Sequence, residues 1–194
     1  MSRRRPVLAA LGLLLTLAGC TTTPPSSRVE DTKQMRALQA RSAYERGKTL
    51  VDQRQFGVAL GAFQEAVQLD PAYGDAHFHR GTALAEAGRF EEAVAAYRRA
   101  QSLPTLTVPQ AAHQNLGRAL FALKRYREAE ASLRFALNIE SQDPQMATTY
   151  VNLGLVLVAE GRTEEAKAAF RQARKLAPES SSARDADEQL KALE

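Results

Sequence analysis

Cys20 is the one thiol of the 194-residue chain, and His77, His79 and His113 are its only histidines. A single cysteine forms no internal disulfide, and one cysteine with three scattered histidines lacks the paired spacing of a zinc site. His77 and His79 lie two residues apart, so on a helix their side chains diverge by about 200° and do not share a metal. All three histidines read as half-buried packing groups. Nucleophilic catalysis needs a base within hydrogen-bond reach of the nucleophile and a third group to orient that base. No G-x-S-x-G, phosphate-cradling glycine loop or His-Glu-x-x-His brings such groups together. The residue chemistry thus predicts neither catalysis nor a metal or cofactor, and leaves covalent modification of Cys20 and recognition by a surface.

The place of Cys20 is informative. Arg3, Arg4 and Arg5 are followed by an apolar run from Val7 to Leu17 and a small-residue exit through Ala18 and Gly19, the three-part layout of a secretory signal. The apolar run is shorter than the roughly 20 residues that span a bilayer core. Leu17, Ala18, Gly19 and Cys20 resemble the lipobox of bacterial lipoproteins. That resemblance implies removal of residues 1–19 and lipidation of Cys20, and Thr21 in the next position implies sorting to the outer membrane. One acyl chain anchors only marginally at roughly 0.8 kcal/mol per buried methylene, whereas several hold firmly. The Thr, Pro and Ser of residues 21–29 read as a semi-extended linker, and 20–33 as lipidated cysteine plus flexible linker.

Charge adds little. The formal +4 includes the three arginines of the signal; without them 23 basic residues face 22 acidic ones. A net +1 gives no electrostatic footprint for nucleic acid. With 44% apolar residues, 11 Gly and 8 Pro, the composition suits one globular domain and rules out collagen, disorder and a polytopic membrane protein.

Internal repetition decides the fold. Gly47, Gly81, Gly117 and Gly154 recur at intervals of 34, 36 and 37 residues. Behind each follow an alanine (Ala59, Ala93, Ala129, Ala166), a large apolar residue (Phe63, Tyr97, Leu133, Phe170) and a second alanine (Ala66, Ala100, Ala136, Ala173). This pattern resembles the tetratricopeptide repeat, a helix-turn-helix unit of 34 residues. Small residues permit close crossing of the paired helices, and a larger one there would overpack by about 1–3 kcal/mol. Repeats are expected at 40–73, 74–109, 110–146 and 147–180, with helices at 34–53, 56–69, 73–87, 90–103, 109–123, 126–140, 145–160 and 163–176. Gly88 and Gly161 suit a left-handed residue at the helix end. Arg54 and Lys124 hold the equivalent places, so those turns are built differently or bear strain of about 1 kcal/mol. The tail from Ser181 places Ala183, Ala186, Leu190 and Leu193 on one stripe and reads as a capping helix over 181–194. The expected fold is all-α, a right-handed superhelical solenoid of four repeats over 34–180 with that cap. Charge clusters such as Glu91, Glu92, Arg98 and Arg99 read as the wet faces of second helices.

In the resembled family the first helices line a concave groove that binds a protein partner as a peptide or helix. Mapping its groove positions onto this chain implies Arg41, Tyr44 and Lys48; Asp75, Phe78 and Thr82; Gln114, Arg118 and Phe121; and Val151, Leu155 and Val158. Asn115 and Asn152 hold the slot where some relatives steady a peptide backbone, their carboxamides having both donor and acceptor. Tyr44 and His79 stand where the chaperone-binding subclass keeps its polar clamp, so a clamp for a terminal carboxylate is not expected. The segment PTLTVPQAAHQNLGRALF is similar to the extended junction of pilus-assembly lipoproteins of the PilF, PilW and Tgl type. The resemblances together imply a lipid-anchored protein of the bacterial envelope, at the outer membrane and facing the periplasm. Its expected work is as an adaptor in pilus or secretin assembly. Scaffolding of cell-wall hydrolases or of barrel assembly is the alternative, and an envelope enzyme the rival from another class. Oligomeric state is left open.

Overall fold

The computed structural model describes residues 25–139 and 144–194; the signal, Cys20 and Thr21 lie outside the described residues. Among the described residues nine α-helices follow in chain order: α1 (Pro25–Asp52), α2 (Phe56–Leu69), α3 (Gly74–Glu86), α4 (Phe90–Gln101), α5 (Pro109–Ala122), α6 (Tyr126–Ile139), α7 (Ala147–Ala159), α8 (Thr163–Leu176) and α9 (Ser181–Ala192), with a 3-10 turn at Pro144–Met146. Each helix packs on its neighbours in the chain, and weaker contacts join α1 to α3, α3 to α5, α5 to α7 and α7 to α9. This is the stack of helix pairs expected from the repeats.

The recurring residues meet as their spacing requires. A Cβ on Gly47 would lie 2.5 Å from the ring of Phe63, and one on Gly117 2.6 Å from Leu133 Cγ. Gly154 is held in the same way against Phe170. Ala59, Ala93, Ala129 and Ala166 are fully buried, as are Ala66, Ala100, Ala136 and Ala173.

The four turns inside the repeats are built alike, and strain is the outcome in two of them. Arg54 and Lys124 adopt φ of 58° and 59°, beside 73° and 77° for Gly88 and Gly161. In each, the amide one residue on reaches back to close the helix: Gln55 N–H to Leu50 C=O at 2.8 Å, and Arg89, Arg125 and Arg162 to Leu84, Leu120 and Leu157 at 2.9 Å. Those bonds satisfy carbonyls that a helix end otherwise leaves bare.

Two boundaries differ from expectation. α1 begins at Pro25 instead of residue 34, so most of the stretch read as flexible linker is helical. Proline is tolerated at a first helical position, and a helix already fixed by packing extends without a new nucleus. The packed part presents Ala40, Ala43, Tyr44 and Gly47 as its buried face, while Val29 to Gln39 is exposed throughout. The junction after α4 folds back onto the start of α3: Thr105 Oγ1 accepts from Gly74 N–H at 2.7 Å, and Thr107 N–H donates to the Asp75 carboxylate at 2.8 Å. The extra residues of that junction thereby cap a helix and engage Asp75, one of the expected groove positions.

α9 takes the place of a further first helix. Ala183 and Ala186 are buried, Ser180 Oγ accepts from Ala183 N–H at 3.1 Å, and Thr148 and Ser182 share a hydroxyl hydrogen bond of 2.8 Å. On the second helices, Arg98 and Arg125 both pair with Glu128, and Arg134 and Arg162 both pair with Glu165. The wet faces are thus stitched across repeats, at a modest gain per exposed pair.

Candidate functional site

The first helices α3, α5 and α7 carry one open slot in register: Thr82, Arg118 and Leu155, with Lys48 as its counterpart on α1. Around Thr82, Arg118 and Leu155 lies a concavity of about 340 Å³. Phe90, Phe121 and Leu133 give it an apolar floor, Asn115 and Asn152 line it, and Glu86 and Arg118 are the charged residues on its wall. A few polar groups over an apolar floor is the ordinary make-up of a binding pocket.

Six of the expected groove residues, Thr82, Asn115, Arg118, Phe121, Asn152 and Leu155, therefore meet in one place. The others do not. Tyr44, Phe78 and Val151 are only 7–8% exposed and belong to the core. With Gln114 they form a single repeated slot, on the seam that the next first helix covers, and burial follows from that contact. Tyr44 packs among Tyr73, His79 and Phe63 at ring separations of 5.0, 5.4 and 6.0 Å, and Phe78 against His79 and Tyr97 at 5.0 and 5.9 Å. Gln114 is half-buried and outside the concavity. Lys48 lies with Nζ 5.4 Å above the Tyr44 ring and 3.0 Å from the Glu45 carboxylate, so its charge is engaged within repeat one.

Sequence reasoning missed Glu86, Phe90 and Tyr97 as lining residues. The available signal was the first position of the second helices, aromatic in Phe56, Phe90 and Tyr126. Tyr97 is the large residue of repeat two, a core position by its spacing; its ring is buried, but it also lines the concavity. Its hydroxyl donates to Thr82 Oγ1 at 3.4 Å. Burial raises the pKa of Tyr97, and its hydrogen bond with Thr82 draws it partly back. Asn152 Nδ2 is buried and has no hydrogen-bond partner, a donor left bare at a cost that a ligand atom would remove.

The histidines pack apart from one another. His77 Nε2 is 3.1 Å from Pro71 O, His79 stacks on Phe63 with ring centres 5.6 Å apart, and His113 lies 4.1 Å from the exposed ring of Phe135. Burial lowers the pKa of all three. Among the described residues no three His, Cys, Asp or Glu side chains group as metal ligands, and no helix is long and apolar enough to cross a membrane.

Comparison with known proteins follows the same geometry. Tetratricopeptide-repeat families match residues 44–106 and 108–179. Over 95 residues, 47% of the chain, the sequence is 37% identical to protein O-mannosyl-transferase Tmtc1 of Drosophila melanogaster, and it spans only 11% of that protein. Among solved structures, residues 41 to the end of MamA from Desulfovibrio magneticus RS-1 superpose with a TM-score of 0.70 at 21% identity, covering 80% of this chain and 83% of that one. PilF of Pseudomonas aeruginosa gives 0.68 at 23% identity, covering 81% and 70%. The first such domain of Spaghetti (RPAP3), bound to the HSP90 peptide SRMEEVD, gives 0.56 at 20% identity over 62% and 90%. At these identities the likeness is one of fold.

Proposed function

The chain belongs to the tetratricopeptide-repeat family, a scaffold for protein interaction, and on that premise we propose that it is a lipid-anchored adaptor without catalytic activity of its own. Its concave face takes a segment of a partner protein, and its N-terminus holds it to the bacterial outer membrane on the periplasmic side. The concavity carries this reading: an apolar lining that includes Phe90, Phe121, Leu133 and Leu155, charges of both signs at Glu86 and Arg118, and a bare donor at Asn152. Lipid on Cys20 supplies the anchor in this proposal. Assistance to pilus or secretin assembly is the specific role we favour, supported by the shared fold with PilF and by the long junction that caps α3.

Crosslinking in intact cells followed by pull-down from solubilised membranes tests the proposal. Secretin or pilus subunits are the expected captives. Cell-wall hydrolases or barrel-assembly proteins would move the adaptor to those systems, and turnover of an envelope substrate by the purified chain would overturn the non-catalytic reading. Mass spectrometry of the same preparation reads the anchor: Cys20 carries acyl groups, and Cys20→Ala yields a chain that no longer partitions into detergent. An unmodified wild-type cysteine would remove the membrane from the proposal.

A further inference from the structure

The residue before each motif glycine and the second residue after each large apolar one form a recurring pair between the two helices of a repeat. The pairs are Arg46 with Glu65, Arg80 with Arg99, Leu116 with Phe135 and Leu153 with Gln172. In repeats one, three and four both members line one groove. Arg80 stands two residues before Thr82, about 200° round α3, so the pair lies on the side of the helix away from the concavity. Repeat one closes its pair as a salt bridge between Arg46 and Glu65, and repeats three and four carry no charge there. Repeat two alone sets two cations together. Arg99 Nη2 donates to Pro71 C=O at 3.4 Å, an oxygen that His77 Nε2 also approaches at 3.1 Å, and Arg80 Nε is buried without an acceptor. The carboxylates whose charge reaches this cluster, Glu92 and Asp70, are already engaged. Both oxygens of Glu92 accept from Arg89, and Asp70 Oδ1 accepts from Ala72 N–H.

Elsewhere on the second helices a carboxylate bridges two arginines: Glu128 between Arg98 and Arg125, and Glu130 between Arg134 and Arg162. We propose that Arg80 and Arg99 are a docking point on the outer face for an acidic side chain of a partner protein, whose carboxylate bridges them in the same way. Arg80 is half-buried and Arg99 exposed, so the carboxylate meets their outward guanidinium nitrogens and does not need to reach the buried Nε. The planar guanidinium fork matches a carboxylate at two points, and the incoming charge relieves the repulsion between the two cations. A neutral carboxamide has the same shape and relieves nothing. This contact is separate from the concave face and gives the chain a second surface for protein.

The test titrates the peptide acetyl-Ala-Glu-Glu-Ala-amide into the full chain at constant ionic strength and follows the arginine Nε–H signals by NMR. Acetyl-Ala-Gln-Gln-Ala-amide and inorganic phosphate are the comparators. The glutamate peptide is expected to shift Arg80 and Arg99 saturably and to bind about three- to tenfold more tightly than the glutamine peptide. Arg80→Gln and Arg99→Gln should each remove that preference while the circular dichroism spectrum stays that of the folded array. Arg99→Glu should remove it too, because the new carboxylate pairs with Arg80 as Glu65 does with Arg46, and it should raise the melting temperature. No saturable shift, equal binding of the two peptides, or a preference that survives Arg99→Glu would overturn the proposal. A melt lowered by Arg99→Glu would do the same, since the two cations would then not face each other. Phosphate that binds tenfold or more tightly than the glutamate peptide would reassign the pair to phosphate and overturn the carboxylate. The titration needs neither the lipid nor the concave face, so its outcome is independent of the adaptor reading.

Discussion

Gly81 and Tyr97 are in contact such that a Cβ on the glycine would sit 2.7 Å from ring atom Cε1. The ring is 1% exposed and packed against Phe78. Gly81→Ala is therefore expected to destabilise by about 1–3 kcal/mol through overpacking. Gly57→Ala and Gly61→Ala on α2 meet nothing within 4 Å, and are expected to stabilise by about 0.5–1 kcal/mol through helix propensity. Urea denaturation of the three variants measures the difference in sign, and the same sign for all three would refute this account of the repeat.

Ala129→Phe forces a ring into the fully buried crossing of α5 and α6 and should cost about 1–3 kcal/mol. Glu92→Gln, on the half-exposed pair with Arg89, should leave the melt nearly unchanged. Thermal melts that move equally would count against the register of the repeats.

Lys124 holds φ at 59° in a turn where Gly161 serves in the following repeat. Left-handed backbone costs a side chain roughly 1–2 kcal/mol, and glycine returns about 0.4–1 kcal/mol of that in unfolded-state entropy. Lys124→Gly should raise stability by up to about 1 kcal/mol, read as a higher urea midpoint with an unchanged slope. A lowered midpoint would mean that the lysine side chain contributes more than its backbone costs.

Phe78 and Phe121 were alike as sequence candidates, and the structure separates them. Phe78→Ala removes a buried ring and should cost about 3–5 kcal/mol. Phe121 is half-buried, 5.7 Å from the ring of Tyr126 and on the wall of the concavity. Phe121→Ala should weaken partner capture by about 2 kcal/mol while moving the circular dichroism melt far less than Phe78→Ala does. Capture that survives Phe121→Ala would take that ring out of the binding surface.

Burial among Tyr44, Phe63 and Phe78 holds the pKa of His79 below its usual value, with Lys48 adding to the fall and Asp75 and Glu45 opposing it. Below the unfolded pKa of about 6.5 the unfolded chain binds the proton and the folded chain resists it, so stability present at neutral pH is lost as pH falls. His77 and His113 shift the same way and act in the same direction. The melting temperature should therefore drop between pH 7.5 and 5.5, and His79→Gln should lessen the drop. A variant with the wild-type pH dependence would exclude His79 as a source.

Local spacing determined much of this protein. Glycine, alanine, large residue and alanine recurring at helical offsets define which faces meet, because each contact lies within one helix pair and is set by chain-local geometry. The cap at α9 and the left-handed sites at Arg54 and Lys124 were legible for the same reason. Tertiary structure decided what depended on the next repeat. The slot shared by Tyr44, Phe78, Gln114 and Val151 is on the inner face by helical phase, yet Tyr44, Phe78 and Val151 are buried in the stack, whereas the slot one turn on, at Thr82, Arg118 and Leu155, lines the open concavity. Asn115 and Asn152 are indistinguishable in sequence. Asn152 Nδ2 nevertheless ends buried without a partner, beside a concavity whose lining includes Leu133 where the repeat before has Tyr97. A residue type fixes which bonds a side chain can make, and the packing of one repeat on another decides whether the partner atom is there.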